Sequence, residues 1–524
     1  MARGDAGRLL SHSRHGGTSS SYQPDIDGLR AIAVALVLLF HASLGFPGGF
    51  VGVDIFFVIS GFLITNLILK SLDSGTFSLT DFWVRRITRI LPAAWVMVVV
   101  VLCAGLVLLV PSDYDSLAQS AIAQQIMLAN VYFWKHTGYF AGTAELLPLL
   151  HTWSLAVEEQ FYLGYPILLM ILNRCGRSVM SVVLVLLTVA SFVMSVHGVH
   201  HHPSATFFFL PTRAWEMSLG GLLCFVPPPA RLPRLLAELV GWSALAAMLG
   251  ASLAFTAATP FPGAAALLPC VAAAVLIWMN AACSTSVARL LAAKPLVFVG
   301  LISYSLYLWH WPLFAFSRYW HDAELPVATR WLLLAATAIA ATLSWRFVEV
   351  PCRNGRNSQS PAGVFGAAAL ALGCALLCAG LIVWHRGLQW RASPEVQRYH
   401  LTASSDPYRH EISVDQAERG DFPVLGDPNG PMSCILWGDS HAMAVMAGLD
   451  AACKSLGFRA YQATHSSTPP VVDMVYASQF GLNRLAPQFN AATLNFIRTK
   501  RIPVVFLSGR WANYAKLDGF AEHL

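Results

Sequence analysis

Charge is what this sequence has least of. Only 12% of its 524 residues are Asp, Glu, Lys or Arg, while 56% are hydrophobic, too little polar surface to clothe a soluble protein of this size. The net charge of +6 does not mark a nucleic-acid binder, because the basic residues sit in short loops between apolar runs, where they set topology. No nucleic-acid partner is expected. No cleavable leader is expected either: the first twenty residues are polar, with Gly, Ser, His and Arg, and read as a disordered cytoplasmic tail. Repeats and low-complexity segments are lacking. The ten cysteines lie mostly in or beside apolar runs, where a small hydrophobe is the default reading. Cys434 and Cys453 alone fall in a polar region, and a disulfide between them is a candidate if that region is exported.

What is present in abundance is apolar sequence. Runs long enough to cross a bilayer, about 18 to 22 residues each, occur near 26–45, 50–70, 91–110, 153–172, 179–197, 207–226, 235–255, 263–280, 295–316, 330–349 and 363–384. Segment 114–134 is interrupted by Gln119, Gln124, Gln125 and Asn130 and reads as interfacial or re-entrant. With the N-terminus placed in the cytoplasm, the inside loops hold Lys70, Arg85, Arg86 and Arg89, then Arg174 and Arg177, Arg231 and Arg234, Arg289 and Lys294, and Arg346, Arg353 and Arg356. The outside loops hold little beyond Lys135, Arg318 and Arg330. This asymmetry predicts an all-α polytopic membrane bundle of about eleven transmembrane helices with the region after about 385 exported. Beyond a polar linker, SCILWGDSHAMAVMAGLDAACKSLGF reads as strand, tight turn and helix, and RIPVVFLSG as a later strand, the start of an α/β domain.

Several ionisable residues interrupt the apolar runs. Arg30 and His41 are eleven helical steps apart, roughly three turns, so they share a helix face about 16 Å apart along its axis. A histidine in such a run is a functional candidate by default, although one hydrogen-bonded between helices would look the same. Arg85, Arg86 and Arg89 lie before the third run; Arg86 and Arg89 are three apart and share a face. Positive-inside anchoring accounts for such a cluster, as does a phosphate site for a guanidinium fork. HTWSLAVEEQFYLGYP places Glu158, Glu159 and Tyr162 in the fourth run. Adjacent carboxylates point about 100° apart and each needs a partner, so one is expected to orient a histidine. His151 precedes this run, Asp54 lies near the external end of the second, and His310 sits between Trp309 and Trp311, where an interfacial anchor or a residue supporting the site are the two readings.

Taken together, the Arg30–His41 spacing, GVDIFFVISGFLIT, Arg86-x-x-Arg89, HTWSLAVEEQFY and SYSLYLWHWP resemble the acyltransferase-3 family of membrane proteins, over roughly 22–350. The resemblance implies transfer of an acyl group, usually acetyl, from acetyl-CoA to an extracytoplasmic glycan, with His41 as catalytic centre and Arg86 and Arg89 in acyl-CoA handling. The exported region is similar to the SGNH-type hydrolase and esterase domains fused to that family. There Ser440 in WGDSHA, flanked by Asp439 and His441, implies a nucleophile at a helix N-terminus, where N–H groups favour an oxyanion. GRWANY, with Asn513, stands where an oxyanion contributor is expected. SGNH enzymes need a late His with an Asp three residues before it; Asp518 and His523 are wrongly spaced, so the sequence is expected to stop inside the domain and the activity of Ser440 is open.

The expected domains are a tail (1–21), an acyltransferase-3 domain (22–350), a cytoplasmic loop with an extra helix (351–385), a periplasmic linker (386–430) and a partial SGNH-like domain (431–524), in a bacterial inner membrane. The expected reaction docks acyl-CoA at Arg30, Arg85, Arg86 and Arg89, with His41 as base or acyl carrier, Glu158 or Glu159 holding its imidazole, and delivery outward directly or through Ser440. Lipopolysaccharide O-antigen, exopolysaccharide and peptidoglycan are all open as acceptor, and no metal is expected. A proton-coupled transporter of a glycan or lipid is the competing class; it would not consume acyl-CoA, and paired Gly/Pro-broken helices, its usual mark, are missing. A glycan-binding membrane scaffold would leave Arg86, Arg89 and the glutamate pair without a task.

Overall fold

The computed structural model describes residues 22–136, 144–229, 232–321, 325–355, 360–394, 406–476, 481–515 and 520. The 1–21 tail, Arg231, Arg356, Asp518 and His523 lie outside the described residues. The chain divides into two units, Met1–Arg391 and Ala392–Leu524, each with its own hydrophobic core.

The first unit is helical. Its main elements are α1 (Pro24–His41), α2 (Gly52–Asp73), α3 (Leu79–Leu108), α4 (Pro111–Gln125), α5 (Ala129–His136), α6 (Thr152–Asn173), α7 (Arg177–His201), α8 (Leu210–Leu222), α9 (Arg234–Ala254), α10 (Leu267–Asn280), α11 (Lys294–Leu301), α12 (Ser303–Tyr319), α13 (Val327–Ser344) and α14 (Pro361–Trp384). Every apolar run read from the sequence overlaps at least one of them. Among the described residues seven helices, counting neighbouring turns, are long and apolar enough to cross a membrane; α11 and α12, bent by 64° at their junction, would together make an eighth.

One expectation is corrected. The first run was expected to continue to about 45, with His41 deep inside it. Instead α1 ends at His41, because Ser43 and Gly45 take left-handed backbone angles of +53° and +86°, which a helix cannot continue through. The start of α1 follows from its sequence: Pro24 fits a first turn, where its missing N–H is no loss, and Asp25 and Asp27 face the positive end of the helix. Segment 114–134 forms two short helices, α4 and α5, parted at Met127, whose φ is +60°.

Close contact in the bundle relies on small residues, since lipid supplies no hydrophobic drive between helices. A Cβ on Gly61 of α2 would stand 1.7 Å from the Met217 carbonyl oxygen, and one on Gly220 of α8 would stand 1.9 Å from that of Val58. Thus α2 and α8 touch backbone to backbone.

The second unit holds a four-stranded sheet of β1 (Val424–Gly426), β2 (Met432–Gly438), β3 (Arg459–Thr464) and β4 (Val504–Ser508), in the order β1-β3-β2-β4. β2 pairs in parallel with both β3 and β4, and β1 lies antiparallel on the β3 edge. Between β2 and β3 runs α15 (Ser440–Leu456), and α16 (Ala486–Lys500) precedes β4. The strand–turn–helix reading of 433–458 and the strand in RIPVVFLSG are both observed. β3 had no strand signature, because RAYQAT carries Arg and Gln; its place between β1 and β2 buries it regardless. Cys434 and Cys453 are buried neighbours with free thiols, Sγ to Sγ 4.0 Å. Burial, and then Cys453 beside it, push the Cys434 thiol up to about 11.

Gly61→Val is expected to cost about 3 kcal/mol or to prevent folding, as overpacking against a rigid backbone does. Gly164→Ala, where an added Cβ meets nothing within 4 Å, serves as the silent control. Thermal unfolding of detergent-solubilised protein, followed by size exclusion, distinguishes them.

Candidate functional site

Besides a cavity of about 610 Å³ beside Lys70, Asp73 and Arg177, the first unit has two that collect the ionisable residues singled out above. The larger of these two, about 510 Å³, is lined by Arg30 of α1, Ser60 and Lys70 of α2, Arg86 and Arg89 of α3, Glu158, Glu159 and Tyr162 of α6, and Tyr304 of α12. Four cations converge there from three helices. Arg30 is held by Asp27, 3.1 Å away, whose other oxygen accepts a 2.8 Å bond from the Tyr22 hydroxyl. Glu158 accepts from Ser60 Oγ at 2.6 Å and from the Tyr162 hydroxyl. The Arg86 guanidinium lies 5.7 Å from the Tyr162 ring centre. Arg85, expected with this group, does not line the cavity; adjacent helical positions diverge by about 100°, and the i, i+3 pair Arg86–Arg89 is the one that faces inward.

The second cavity, about 330 Å³, is lined by His41, Asp54, His151 and Arg213 among a group of aromatic rings that includes Phe40, Phe50, Trp153, Phe207, Phe261 and Trp311. His41 Nδ1 lies 3.0 Å from His310 Nε2, and His310 Nδ1 lies 2.6 Å from the Tyr307 carbonyl oxygen. A carbonyl can only accept, so the neutral His310 carries its proton on Nδ1 and accepts on Nε2. His41 then donates from Nδ1, and its Nε2 keeps a lone pair. The two rings stack at 5.1 Å, Trp311 meets His41 edge-on at 4.6 Å, and His151 meets His310 edge-on at 5.6 Å. Arg318 caps the end of α1 through a 2.6 Å bond to the His41 carbonyl.

This geometry corrects the expected partner of His41. Neither Glu158 nor Glu159 holds its imidazole; both line the basic cavity, and His310 occupies that place. Adjacency in an apolar run shows that a carboxylate needs a partner and not which cavity it faces. Conversely, His310 touches His41 directly and is no mere interfacial anchor.

Arg213 and Glu216 escaped the sequence reading. Arg213, 1% exposed, pairs with Asp54 and Glu216 at 3.0 Å each. Both lie inside the expected run 207–226, so the rule that singled out His41 also applied to them. Ligand atoms of Asp54, Glu216 and Cys270 come within 4.8 Å of one another, a spacing that could hold a metal ion. Arg213 already supplies the positive charge between the two carboxylates, which disfavours a cation there.

The two cavities share Tyr307 and Val53. The Tyr307 hydroxyl lies 2.6 Å from Ser154 Oγ and donates to the His151 carbonyl at 2.9 Å.

In the second unit, β2 runs into the Gly-Asp-Ser turn and Ser440, half-buried, opens α15. Asp439 is fully buried: one oxygen accepts from the His441 backbone N–H at 2.8 Å, the other from the Arg510 N–H at 3.0 Å and from the Tyr514 hydroxyl. The GRWANY segment is thereby held against the turn. His441 is exposed, its Nδ1 3.4 Å from Asp439. Among the described residues no histidine is hydrogen-bonded to the Ser440 hydroxyl.

Comparison with known proteins matches a family model described as an acyltransferase domain to residues 23–348 and one described as an SGNH domain fused to such domains to residues 407–523. A protein of Komagataeibacter xylinus named "Putative membrane-bound transacylase BcsY" is 35% identical over 68% of this chain and 90% of its own length. The peptidoglycan O-acetyltransferase OatA of Listeria monocytogenes is 34% identical over 64% of this chain, and a Staphylococcus aureus protein named "Putative O-acetyltransferase" 35% identical over 63%. The matched region spans 56% and 57% of those two relatives. No solved structure matches.

Asp439→Ala removes the acceptor of three bonds and is expected to cost the second unit about 3 kcal/mol. The readout is faster limited proteolysis after residue 391 in the full chain, with Asp439→Asn intermediate.

Proposed function

The chain belongs to the acyltransferase-3 family of membrane proteins, and from that premise we propose that it moves an acyl group, most simply acetyl, from cytoplasmic acyl-CoA to a hydroxyl of an extracytoplasmic glycan. The observation that carries this reading is the pairing of the two cavities: one collects Arg30, Lys70, Arg86 and Arg89, and the other, sharing a wall with it, holds a histidine with a free Nε2 lone pair. Phosphates and the 3′-phosphoadenosine end of a CoA thioester suit convergent guanidinium groups. The aromatic rings of the second cavity offer apolar faces to a sugar, and Asp54 and Arg213 its hydrogen-bonding edge.

In this mechanism His41 Nε2 takes the proton of the acceptor hydroxyl as that oxygen attacks the thioester carbon. The C–S bond breaks, an ester C–O bond forms, and the CoA thiolate leaves with the proton from the imidazolium. His310 and the Tyr307 carbonyl keep His41 in the tautomer with its lone pair on Nε2. Charge developing on the His41 ring is shared along the same chain of bonds. Glu158, through Ser60 and Tyr162, holds the α2–α6 wall of the donor cavity.

The family's transfer direction and the Lys and Arg asymmetry support eleven crossings, a cytoplasmic N-terminus and an exported second unit. Lipopolysaccharide O-antigen and exopolysaccharide are the acceptors we favour; peptidoglycan, which the Listeria relative's name specifies, is the alternative. Transfer through an acyl-Ser440 intermediate is a second route, tested by Ser440→Ala.

His41→Ala should abolish ester-linked acyl groups on the cell surface with the folded protein retained, and His310→Ala should lower transfer about 100-fold. Arg86→Ala should raise the KM for acyl-CoA with a smaller change in kcat. Mass spectrometry of surface glycans from cells with each variant reads the first two, and wild-type acylation with His41→Ala would sink the proposal.

A further inference from the structure

The wall between the cavities has a polar latch in it. Tyr307 and Val53 line both sides, Ser154 only the basic side and His151 only the histidine side. The Tyr307 hydroxyl donates to the His151 carbonyl and is hydrogen-bonded to the Ser154 hydroxyl, which fastens the ring of an α12 residue to the first turn of α6. These two bonds are made by a residue that borders both the basic cavity and the cavity holding His41. A wall closed in this way keeps His41 from the donor, so the proposed reaction requires it to open.

Tyr307 is built to open without disturbing the histidines. Its carbonyl oxygen, fixed in the α12 backbone, accepts the His310 Nδ1 proton, whereas its ring alone forms the wall. Rotation about χ1 moves the ring and leaves the carbonyl in place. The other residue that borders both cavities is Val53, on α2 next to Asp54, where the buried Arg213 pair anchors the helix. The opening therefore has one movable edge and one fixed edge.

We propose that Tyr307 is a gate and an acyl-length filter between the donor cavity and His41. Resting on the acyl-transfer reading above, this adds the residue that decides which acyl group is transferred and that keeps water on the histidine side from the thioester. With the latch closed, acyl-CoA is held without being hydrolysed. As the ring swings aside, the carbonyl carbon and a short chain pass between it and Val53, and each additional methylene meets that edge. The filter is steric, so enlarging the opening relaxes selectivity and need not raise the rate with acetyl. The latch is a pair of hydrogen bonds, so removing the hydroxyl loosens closure while the ring remains.

Inside-out membrane vesicles carrying the full-length protein, given radiolabelled acetyl-CoA or butyryl-CoA with the vesicles' own glycan as acceptor, test both parts. For Tyr307→Ala the ratio of acetyl to butyryl transfer should fall about tenfold or more relative to wild type, the scale on which a pocket discriminates methylenes. Loss of folded protein lowers both rates and leaves their ratio untouched, so an unchanged ratio in an active variant overturns the filter. Tyr307→Phe and Ser154→Ala keep the wall's bulk and lose the latch. Each should raise CoA release in vesicles stripped of acceptor about threefold or more and leave the acetyl-to-butyryl ratio near the wild-type value. Should Tyr307→Ala be inactive, these two variants decide: unchanged acceptor-independent release in both overturns the gate. A wild-type protein inert to both donors refutes the acyl-transfer reading itself, an outcome distinct from either.

Discussion

An ionised group inside an apolar bundle must meet an opposite charge or a full set of hydrogen bonds, and that requirement organises the first unit around α2. Asp54, near one end of that helix, is met by Arg213 of α8, which Glu216 holds from the other side. Ser60, six residues further on, binds Glu158 of α6. Two helices are thus tied to α2 by polar bonds, and the bare backbone contact at Gly61 and Gly220 lets α8 come near enough to make its tie. Because Asp54 and Ser60 point into different cavities, the same helix serves both, and Val53 borders each.

The chemistry depends on the direction of hydrogen bonds as much as on their length. A carboxylate behind a catalytic histidine stabilises the imidazolium. Here a backbone carbonyl stands at the end of a two-histidine chain, and a carbonyl specifies a neutral tautomer without adding a buried charge. In a membrane protein the second arrangement avoids desolvating an anion. It also makes the placement of His41 depend on the α12 backbone, and the 64° bend between α11 and α12 is part of what brings that backbone to the end of α1.

Much of this was legible in the chain, for identifiable reasons. Arg86 and Arg89 face one cavity because helical periodicity is local, and the same periodicity turns Arg85 away. His41 announced itself by being ionisable in an apolar run. Arg213 and Glu216 carried the identical signal and were passed over because they belong to none of the phrases that carry the family resemblance. In the second unit the turn at Asp439 and Ser440 was plain from strand, Gly-Asp-Ser and amphipathic helix. β3 was not, since its Arg and Gln obscure the alternation that marks a strand, and its burial comes from neighbours on either side.

The sequence by itself determined that this is a membrane protein, roughly where most of its helices run, that it belongs to the acyltransferase-3 family with an SGNH-type unit, and that several of its ionisable residues are too costly to be incidental. These are consequences of composition, of 3.6-residue periodicity and of short phrases, all properties of neighbours along the chain. The tertiary structure alone decided that His41 ends its helix and leans on His310, that Glu158 and Glu159 belong to the basic cavity, and that Tyr307 stands between the two. Each is a contact between helices distant in sequence. Such contacts are set by how the helices pack and bend, and no local pattern contains that information.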